Sequence, residues 1–244
     1  MDKFLVPVGG LDTGKRKLED AAIDVSSSSP AAKASKAGPV LVVLPGAGGV
    51  IGKNMVEMLS LLRQEHGFKI VYSPKLSWNK FAASSKTNVL GVRELVNQCE
   101  GREFYIMGCS FGNRVLAELL AADLANKNKI PPTPPVLERC KGVIFCAYPL
   151  YGDKNGTDRL NQLNKVPRET PICIMSGLKD EYLNRDYLPR KGAELMKDVT
   201  RSFTNAQLNL IENGKHDLPG ATGNKVSIQK AKDDCLAILL KFCK

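Results

Sequence analysis

Short apolar runs alternate with amphipathic segments from Pro39 onward. The runs are rich in β-branched residues and bounded by Gly, Pro or polar residues, as strands buried in a parallel sheet are. The runs cover residues 40–44, 69–72, 103–107, 142–147, 171–175 and 208–211. Helical patterns cover residues 54–65, 88–99, 111–126, 188–199 and 226–242. This alternation predicts an α/β fold, with a mainly parallel sheet of about six strands and helices on both of its faces.

Residues 1–38 differ in composition from the rest of the chain. They are rich in serine and small residues, and such a segment cannot bury enough apolar surface to order itself. We therefore expect a flexible low-complexity tail over 1–38 and one folded domain over 39–244. The polar, weakly helical stretch 148–170 is expected to form a small cap over a site. Lys15-Arg16-Lys17 fits a solvated tail better than a nuclear-import signal, which stays an open alternative.

Charge and composition narrow the classes of function. The chain has 244 residues and a net charge of +10, which raises the question of a nucleic-acid ligand. However, the lysines are scattered and aromatic residues make up only 6%, so no stretch interleaves basic and stacking side chains. No apolar run approaches the roughly 18 residues of a membrane span, and the N-terminus lacks the apolar stretch of a signal peptide. We expect neither nucleic-acid binding nor a membrane span, while an anionic ligand stays open.

The cysteines indicate the redox environment. There are seven, an odd number, and none shows zinc-ligand spacing. Cys146 and Cys173 lie inside apolar runs, which is typical of reduced core thiols. We expect an intracellular protein, in the cytoplasm and with the nucleus as an alternative.

A glycine-rich loop at 45–54 follows the first predicted strand and permits three interpretations. Such a loop exposes amide groups at a helix N-terminus, which suits a phosphate or a developing oxyanion. A nucleotide-triphosphate loop would need a glycine where Ala47 lies and a hydroxyl where Asn54 lies. Only Gly52-Lys53 matches that motif, so this first interpretation has little support.

Dinucleotide binding is the second interpretation, because the glycine spacing over 46–52 resembles that of the short-chain dehydrogenases. Tyr187 and Lys191 also form Tyr-x-x-x-Lys, but Pro189 interrupts the helix that this motif requires. The second strand is not followed by an acidic residue for a ribose hydroxyl. A protein that binds NAD(P) is therefore a weaker alternative. The third interpretation, half of an oxyanion hole, depends on the next motif.

A nucleophile elbow is predicted at 108–112, where Gly-x-Ser-x-Gly lies between the strand 103–107 and a helical pattern. The two glycines are needed because larger side chains beside the turn would clash with the strand and the helix. We predict Ser110 as the nucleophile and the Phe111 amide as an oxyanion donor. The Ala47 amide in the glycine-rich loop is the predicted second donor.

A nucleophilic serine needs a base and a carboxylate that orients it. Only two histidines exist, and His66 fits a solvated position at the end of a helix. His216 follows the last predicted strand and is the predicted base. Asp180 follows the strand 171–175 and is the predicted acid, ahead of its neighbour Glu181 and of Asp153. The order serine, aspartate, histidine is that of the α/β-hydrolases.

Four ordered motifs resemble one group of α/β-hydrolase-like proteins, those related to testis-expressed protein thirty and to the third subunit of the NSL histone-acetyltransferase complex. The elbow carries the Gly-x-Ser-x-Gly-x-Arg of that family. The motifs lie at 108–114, 148–150, 176–181 and 214–216. The family's His-Gly in the first loop is Pro45-Gly46 here, and its leading strands have no counterpart in 1–38. The resemblance implies the same fold over 39–244, but the family includes members without established activity.

These observations predict a three-layer α/β-hydrolase fold and a serine hydrolase that cleaves an ester, thioester or amide through an acyl-serine. The alternative is a non-catalytic binding or scaffold module of the same fold. No metal or organic cofactor is expected, and the expected partner is a small acyl substrate. Arg114 lies in the first turn of the helix predicted over 111–126, where a cation is disfavoured. It is predicted either to pair with a carboxylate or, more weakly, to anchor an anionic substrate. Cys109 is expected to pack into the interior.

Overall fold

Six parallel strands form one sheet in this computed structural model, which describes residues 38–73, 86–97, 99, 102–126, 138–151, 159–183 and 192–244. The strands are β1 (Val40–Leu44), β2 (Lys69–Tyr72), β3 (Phe104–Cys109), β4 (Cys140–Cys146), β5 (Ile172–Gly177) and β6 (Ala206–Ile211). Their order across the sheet is β2-β1-β3-β4-β5-β6, and every neighbouring pair is parallel. The predicted six-stranded parallel sheet is confirmed, and each predicted strand is present with ends that differ by up to two residues.

Helices connect the strands and cover both faces of the sheet. They are α1 (Lys53–His66), α2 (Lys86–Asn97), α3 (Phe111–Asn126), α4 (Leu160–Leu163), α5 (Gly192–Arg201) and α6 (Lys225–Phe242), with a 3₁₀ turn at Ala47–Gly49. Gly67 ends α1 in the left-handed conformation with φ 69°, a conformation that glycine adopts at little cost. The Asn224 side chain accepts a hydrogen bond from the Ser227 amide and caps α6.

Two apolar clusters lie on opposite faces of the sheet and give the fold its three layers. Val40, Val42 and Leu44 contribute to one cluster, together with residues of α2, α3 and α5. Leu41 and Val43, the residues between them in β1, contribute to the other, with residues of α1 and α6. Neighbouring strand residues point to opposite faces, so a strand that is apolar throughout must be covered on both sides.

Several expectations fall partly or wholly outside the described residues. These include the tail up to residue 37, the first four residues of the helix predicted over 188–199, and residues 152–158 of the predicted cap. The described part of the cap contains α4, a single helical turn whose Gln162 contacts Arg114 of α3. Among the described helices, none combines the length and apolar character that crossing a membrane requires.

Candidate active site

The turn between β3 and α3 holds Ser110 in a strained conformation, with φ 49°. Close approach of backbone explains the glycines on either side. A Cβ on Gly108 would lie 2.7 Å from the Asn113 Cα, and one on Gly112 would lie 2.6 Å from the Leu44 carbonyl oxygen. Any larger residue at either position would therefore push the helix away from the sheet. This geometry is the one that the nucleophile-elbow motif predicts.

The end of β4 supports the elbow from the side. The Cys146 carbonyl accepts hydrogen bonds from the Ser110 amide at 3.2 Å and from Asn113 Nδ2 at 2.7 Å. The Asn113 amide in turn donates to the Ser110 carbonyl at 3.1 Å. Asn113 is fully buried. These bonds fix the direction in which the Ser110 side chain leaves the turn.

Two further loops meet beside the elbow, after β5 and after β6. A Cβ on Gly177 would lie 2.1 Å from the Gly214 carbonyl oxygen, so the two loops touch where neither has a side chain. The Lys179 amide donates to that same carbonyl at 2.8 Å. The carboxyl ends of parallel strands lie at one edge of a sheet, and this edge is where Asp180 and His216 emerge.

Ser110, His216 and Asp180 form a continuous hydrogen-bonded chain. Ser110 Oγ lies 2.7 Å from His216 Nε2, and His216 Nδ1 lies 3.0 and 3.1 Å from the two carboxylate oxygens of Asp180. Asp180 is completely buried, whereas the His216 side chain keeps 17% of its surface exposed. A buried carboxylate beside one imidazole nitrogen leaves the other nitrogen directed at the serine, which is the arrangement of a catalytic triad.

Tyr182 completes this chain and was not singled out from the sequence. Its backbone amide donates to Asp180 Oδ1 at 2.7 Å, which occupies one of the carboxylate oxygens. Its ring lies against the imidazole of His216, with centroids 4.4 Å apart and planes inclined by 47°. An aromatic residue two positions after an acid carries no motif, so nothing in the sequence distinguishes it from an ordinary loop tyrosine.

A cavity of about 210 Å³ opens in front of Ser110 and His216. Its walls are mostly apolar. The residues that line it, besides Ser110 and His216, are Gly46, Val50, Ile51, Gly52, Met55, Cys109, Cys146, Ala147, Asp217 and Leu218. Cavities that hold drug-sized ligands measure roughly 300–1,000 Å³, so this one suits a smaller group.

The two predicted oxyanion donors lie at the N-termini of helical segments near the elbow. Phe111 is the first residue of α3, where the amide has no intrahelical partner. In the glycine-rich loop, the Gly46 amide donates to the Val50 carbonyl and the Gly49 amide to the Gly46 carbonyl. Ala47 begins the 3₁₀ turn between them and is exposed. These positions are compatible with the predicted roles, which stay predictions.

Arg114 lies away from the residues that line the cavity. Its Nε donates to the Gln162 side-chain oxygen at 3.0 Å, and its guanidinium lies over the Phe111 ring at 5.8 Å. Gln162 Nε2 donates in turn to Glu118 at 3.2 Å, and burial lowers the pKa of Arg114. The contacts are thus with the protein itself, and they give the predicted substrate anchor no support.

The other residues that the sequence analysis considered differ in where they lie and in how far they are buried. Glu181 is exposed, whereas its neighbour Asp180 is buried in the triad. Cys109 is partly buried and packs against the apolar cluster on the α1 and α6 face of the sheet, as expected, and it also lines the cavity. Asp153, and Tyr187 and Lys191 of the dinucleotide alternative, lie outside the described residues. Within the described ranges, no three His, Cys, Asp or Glu residues are grouped so that they could hold a metal ion.

Solved structures of other proteins share this architecture. The chain is similar to a bromoperoxidase from Bacillus anthracis, with 16% identity, a TM-score of 0.53, and coverage of 84% of this chain and 92% of that one. It is similar to Est1E from Butyrivibrio proteoclasticus, with 13% identity, a TM-score of 0.51, and coverage of 84% and 90%. It is also similar to a thioesterase domain from the curacin biosynthetic pathway, with 13% identity, a TM-score of 0.53, and coverage of 83% of this chain and 91% of that one. At these identities the likeness shows the fold alone.

Family membership comes from the sequence of the chain itself. No curated protein matches it. The model of the alpha/beta hydrolase domain family matches residues 77–244, which is more than half of the chain and includes the elbow, the acid loop and the histidine loop. The chain therefore belongs to the alpha/beta hydrolase domain family.

Proposed function

We propose that this protein is a serine hydrolase that cleaves an ester, thioester or amide through an acyl-serine intermediate. The observation that carries the proposal is the hydrogen-bonded chain Ser110–His216–Asp180, with Ser110 Oγ 2.7 Å from His216 Nε2 at the mouth of a cavity. Nucleophile, base and orienting acid come from three different loops. Their convergence at contact distance is a more specific signal than any one motif.

The proposed reaction has two steps. With Nδ1–H donating to Asp180, His216 Nε2 takes the proton of the Ser110 hydroxyl while Ser110 Oγ attacks the substrate carbonyl carbon. The Phe111 and Ala47 amides donate to the oxyanion that forms. His216 then gives the proton to the leaving group. In the second step His216 takes a proton from water while the water oxygen attacks the acyl carbon. The bond between that carbon and Ser110 Oγ then breaks, His216 returns the proton to Oγ, and the acid is released.

The cavity favours a small, apolar acyl group. The walls near Ser110 are formed by side chains such as Val50, Met55 and Leu218, and its volume is about 210 Å³. Apolar walls contribute affinity roughly in proportion to the area removed from water. An acyl chain of a few carbons would fill this space, while a long chain would protrude from it.

Two narrower points belong to this proposal. We propose that this protein is functionally related to the proteins similar to testis-expressed protein thirty and the third NSL subunit, on the strength of the motifs at 108–114 and 176–181. Because that group includes members without established activity, a binding or scaffold module is the alternative. The formed hydrogen bond between Ser110 and His216 favours catalysis, since a scaffold has no need of it.

Labelling of Ser110 tests the proposal. We expect a fluorophosphonate to label the wild-type protein, because an activated serine attacks phosphorus as it attacks an acyl carbon. We also expect turnover of short p-nitrophenyl esters. Ser110→Ala should lose both activities and keep its thermal unfolding midpoint within a few degrees. Ser176→Ala, which removes a buried serine outside the cavity lining, is the matched control and should retain labelling. Absence of labelling and turnover in the wild type would favour the scaffold alternative.

A further inference from the structure

Two thiols lie side by side in the cavity wall, directly beside the elbow. Cys109 ends β3 and Cys146 ends β4, and the two residues are partners in the parallel register. Both thiols belong to the same apolar cluster on one face of the sheet, and both residues line the cavity with Ser110. The proposed hydrolysis uses neither thiol.

The backbone geometry at this pair is suitable for a covalent bond. Neighbouring strands lie about 4.7–4.9 Å apart, and disulfides join residues whose Cα atoms are about 4.4–6.8 Å apart. Both residues pack with the same apolar cluster, so both side chains point to the same side of the sheet. All seven cysteines of the chain are free, so the pair is available for reaction.

We propose that Cys109 and Cys146 form an oxidant-sensitive dithiol site, in which hydrogen peroxide or a related two-electron oxidant closes a disulfide that inactivates the adjacent Ser110. The two thiols give up two electrons and two protons as the S–S bond forms. Peroxide accepts them, its O–O bond breaks, and two water molecules are released.

The order of the steps follows from exposure. Cys109 is partly exposed in the cavity, whereas Cys146 is buried. The hydrogen bond with Cys109 and burial raise the pKa of the Cys146 thiol well above its ordinary value, so Cys146 is not the first to react. Peroxide therefore oxidises Cys109 to a sulfenic acid and releases one water molecule. The Cys146 sulfur then attacks the Cys109 sulfur, and the sulfenic hydroxyl leaves as the second water molecule.

A disulfide at this place would disturb the triad. Cys109 directly precedes Ser110, and the Cys146 carbonyl accepts a hydrogen bond from the Ser110 amide. An S–S bond of about 2.05 Å requires the two sulfurs, which are not bonded in the structure, to move closer. Ser110 Oγ lies 2.7 Å from His216 Nε2, and a displacement of about 1 Å can lower the rate of a reaction by about 10²-fold. This part of the inference rests on the proposed function.

Peptide mapping and activity together test the proposal on the full chain. After treatment with hydrogen peroxide and alkylation of the remaining thiols, we expect a peptide that links Cys109 to Cys146 and is lighter by two hydrogen atoms. Fluorophosphonate labelling and ester turnover should fall at least about tenfold, and dithiothreitol should restore both. Mapping needs no enzymatic activity. If the protein is inactive before oxidation, that result counts against the proposed function. The linked peptide would still decide whether the dithiol site exists.

Single substitutions distinguish the roles of the two thiols. The reference for each variant is its own activity before peroxide treatment. Cys109→Ala should resist peroxide. Cys146→Ala should still be oxidised at Cys109, but no second thiol would trap the sulfenic acid. Excess peroxide should therefore oxidise it further to the sulfinic acid, from which dithiothreitol does not restore activity. Cys140→Ala is the matched control, since Cys140 is also partly exposed but lies at the opposite end of β4, and it should respond as the wild type does. A wild type that forms no Cys109–Cys146 link, or one that forms it without loss of labelling, would overturn the proposal.

Discussion

At the scale of single residues, direction and burial separate side chains of the same type. Asp180 and Glu181 are consecutive carboxylates in one loop. Asp180 is fully buried and contacts both His216 Nδ1 and the Tyr182 amide, whereas Glu181 is exposed. A buried carboxylate with these partners determines which imidazole nitrogen carries the proton. An exposed neighbour that points away contributes only a screened charge.

Asp180→Asn should therefore reduce ester turnover by orders of magnitude while the fold is retained. In trypsin-like proteases, the same change of the orienting aspartate to asparagine costs about 10⁴-fold in turnover because it favours the wrong imidazole tautomer. Glu181→Gln, the matched control, should cost less than about tenfold. Steady-state kinetics with one p-nitrophenyl ester, together with thermal unfolding, would measure both. If Asp180→Asn changes turnover little and Asp153→Asn reduces it by orders of magnitude, the acid is instead Asp153.

The sequence predicted that Ser110, Asp180 and His216 lie together, but it predicted neither Tyr182 beside His216 nor Cys146 in the cavity wall. The positions of the first three residues were predictable because each lies in the loop after a predicted strand, and parallel strands place such loops at one edge. Tyr182 matters through the position of its ring against His216, which depends on how the acid loop folds. Cys109 was expected in the interior, and only the register of β3 with β4 brings it into contact with Cys146.

At the scale of elements, close backbone approaches set how helices and loops meet the sheet. Gly112 lets the first turn of α3 approach the end of β1, because a Cβ there would lie 2.6 and 2.7 Å from the Leu44 and Pro45 carbonyl oxygens. Both of these atoms belong to the backbone and cannot turn aside as a flexible side chain could. The contact joins the elbow to the strand that leads into the glycine-rich loop.

Gly112→Ala should consequently lower the free energy of unfolding by about 1–3 kcal/mol, as overpacking does, and should also reduce turnover. Gly91→Ala is a matched control within a helix, since a Cβ on Gly91 of α2 would meet nothing within 4 Å. That change should raise the free energy of unfolding by about 0.5–1 kcal/mol, because alanine is the better helix former. Urea unfolding would measure both variants, and a neutral Gly112→Ala would contradict the close approach.

Strand positions followed from the apolar runs, but the ends of the elements depended on tertiary contacts. The strand predicted over 208–211 begins at Ala206, because Ala206 and Gln207 pair with Ile172 and Cys173 of β5. The strand predicted over 142–147 is shifted toward its start, and Ala147 leaves the sheet with φ 52°. Neither partner pairing nor a left-handed alanine is visible in local apolar periodicity.

At the scale of the whole molecule, the cavity is a product of distant segments. Val50 belongs to the glycine-rich loop, Met55 to α1, Cys146 to β4 and Leu218 to the loop after β6. The alpha/beta hydrolase family and the meeting of Ser110, Asp180 and His216 could be predicted from linear motifs, while the size of the cavity could not. Its size depends on how side chains from these segments pack, and that packing has no linear pattern in the chain.

The volume of the cavity predicts a preference for short acyl chains that one side chain should control. Met55 and Met58 both lie buried on α1, but only Met55 lines the cavity. We expect the wild type to prefer p-nitrophenyl acetate or butyrate to the octanoate. Met55→Ala lengthens the space, so kcat/KM for the octanoate relative to the acetate should rise at least about tenfold, a typical effect of added methylene contacts.

Met58→Ala is the matched control for this last prediction, because it removes the same atoms from the same helix without enlarging the cavity. Both variants should lose about 2–5 kcal/mol of stability, as buried truncations do. Kinetics should therefore be measured well below both thermal unfolding midpoints, and Met55→Val provides a milder truncation at the cavity. Equal changes in chain-length preference for Met55→Ala and Met58→Ala would show that general loosening, and not the wall at Met55, sets the preference. An unchanged preference in both would place the acyl chain elsewhere.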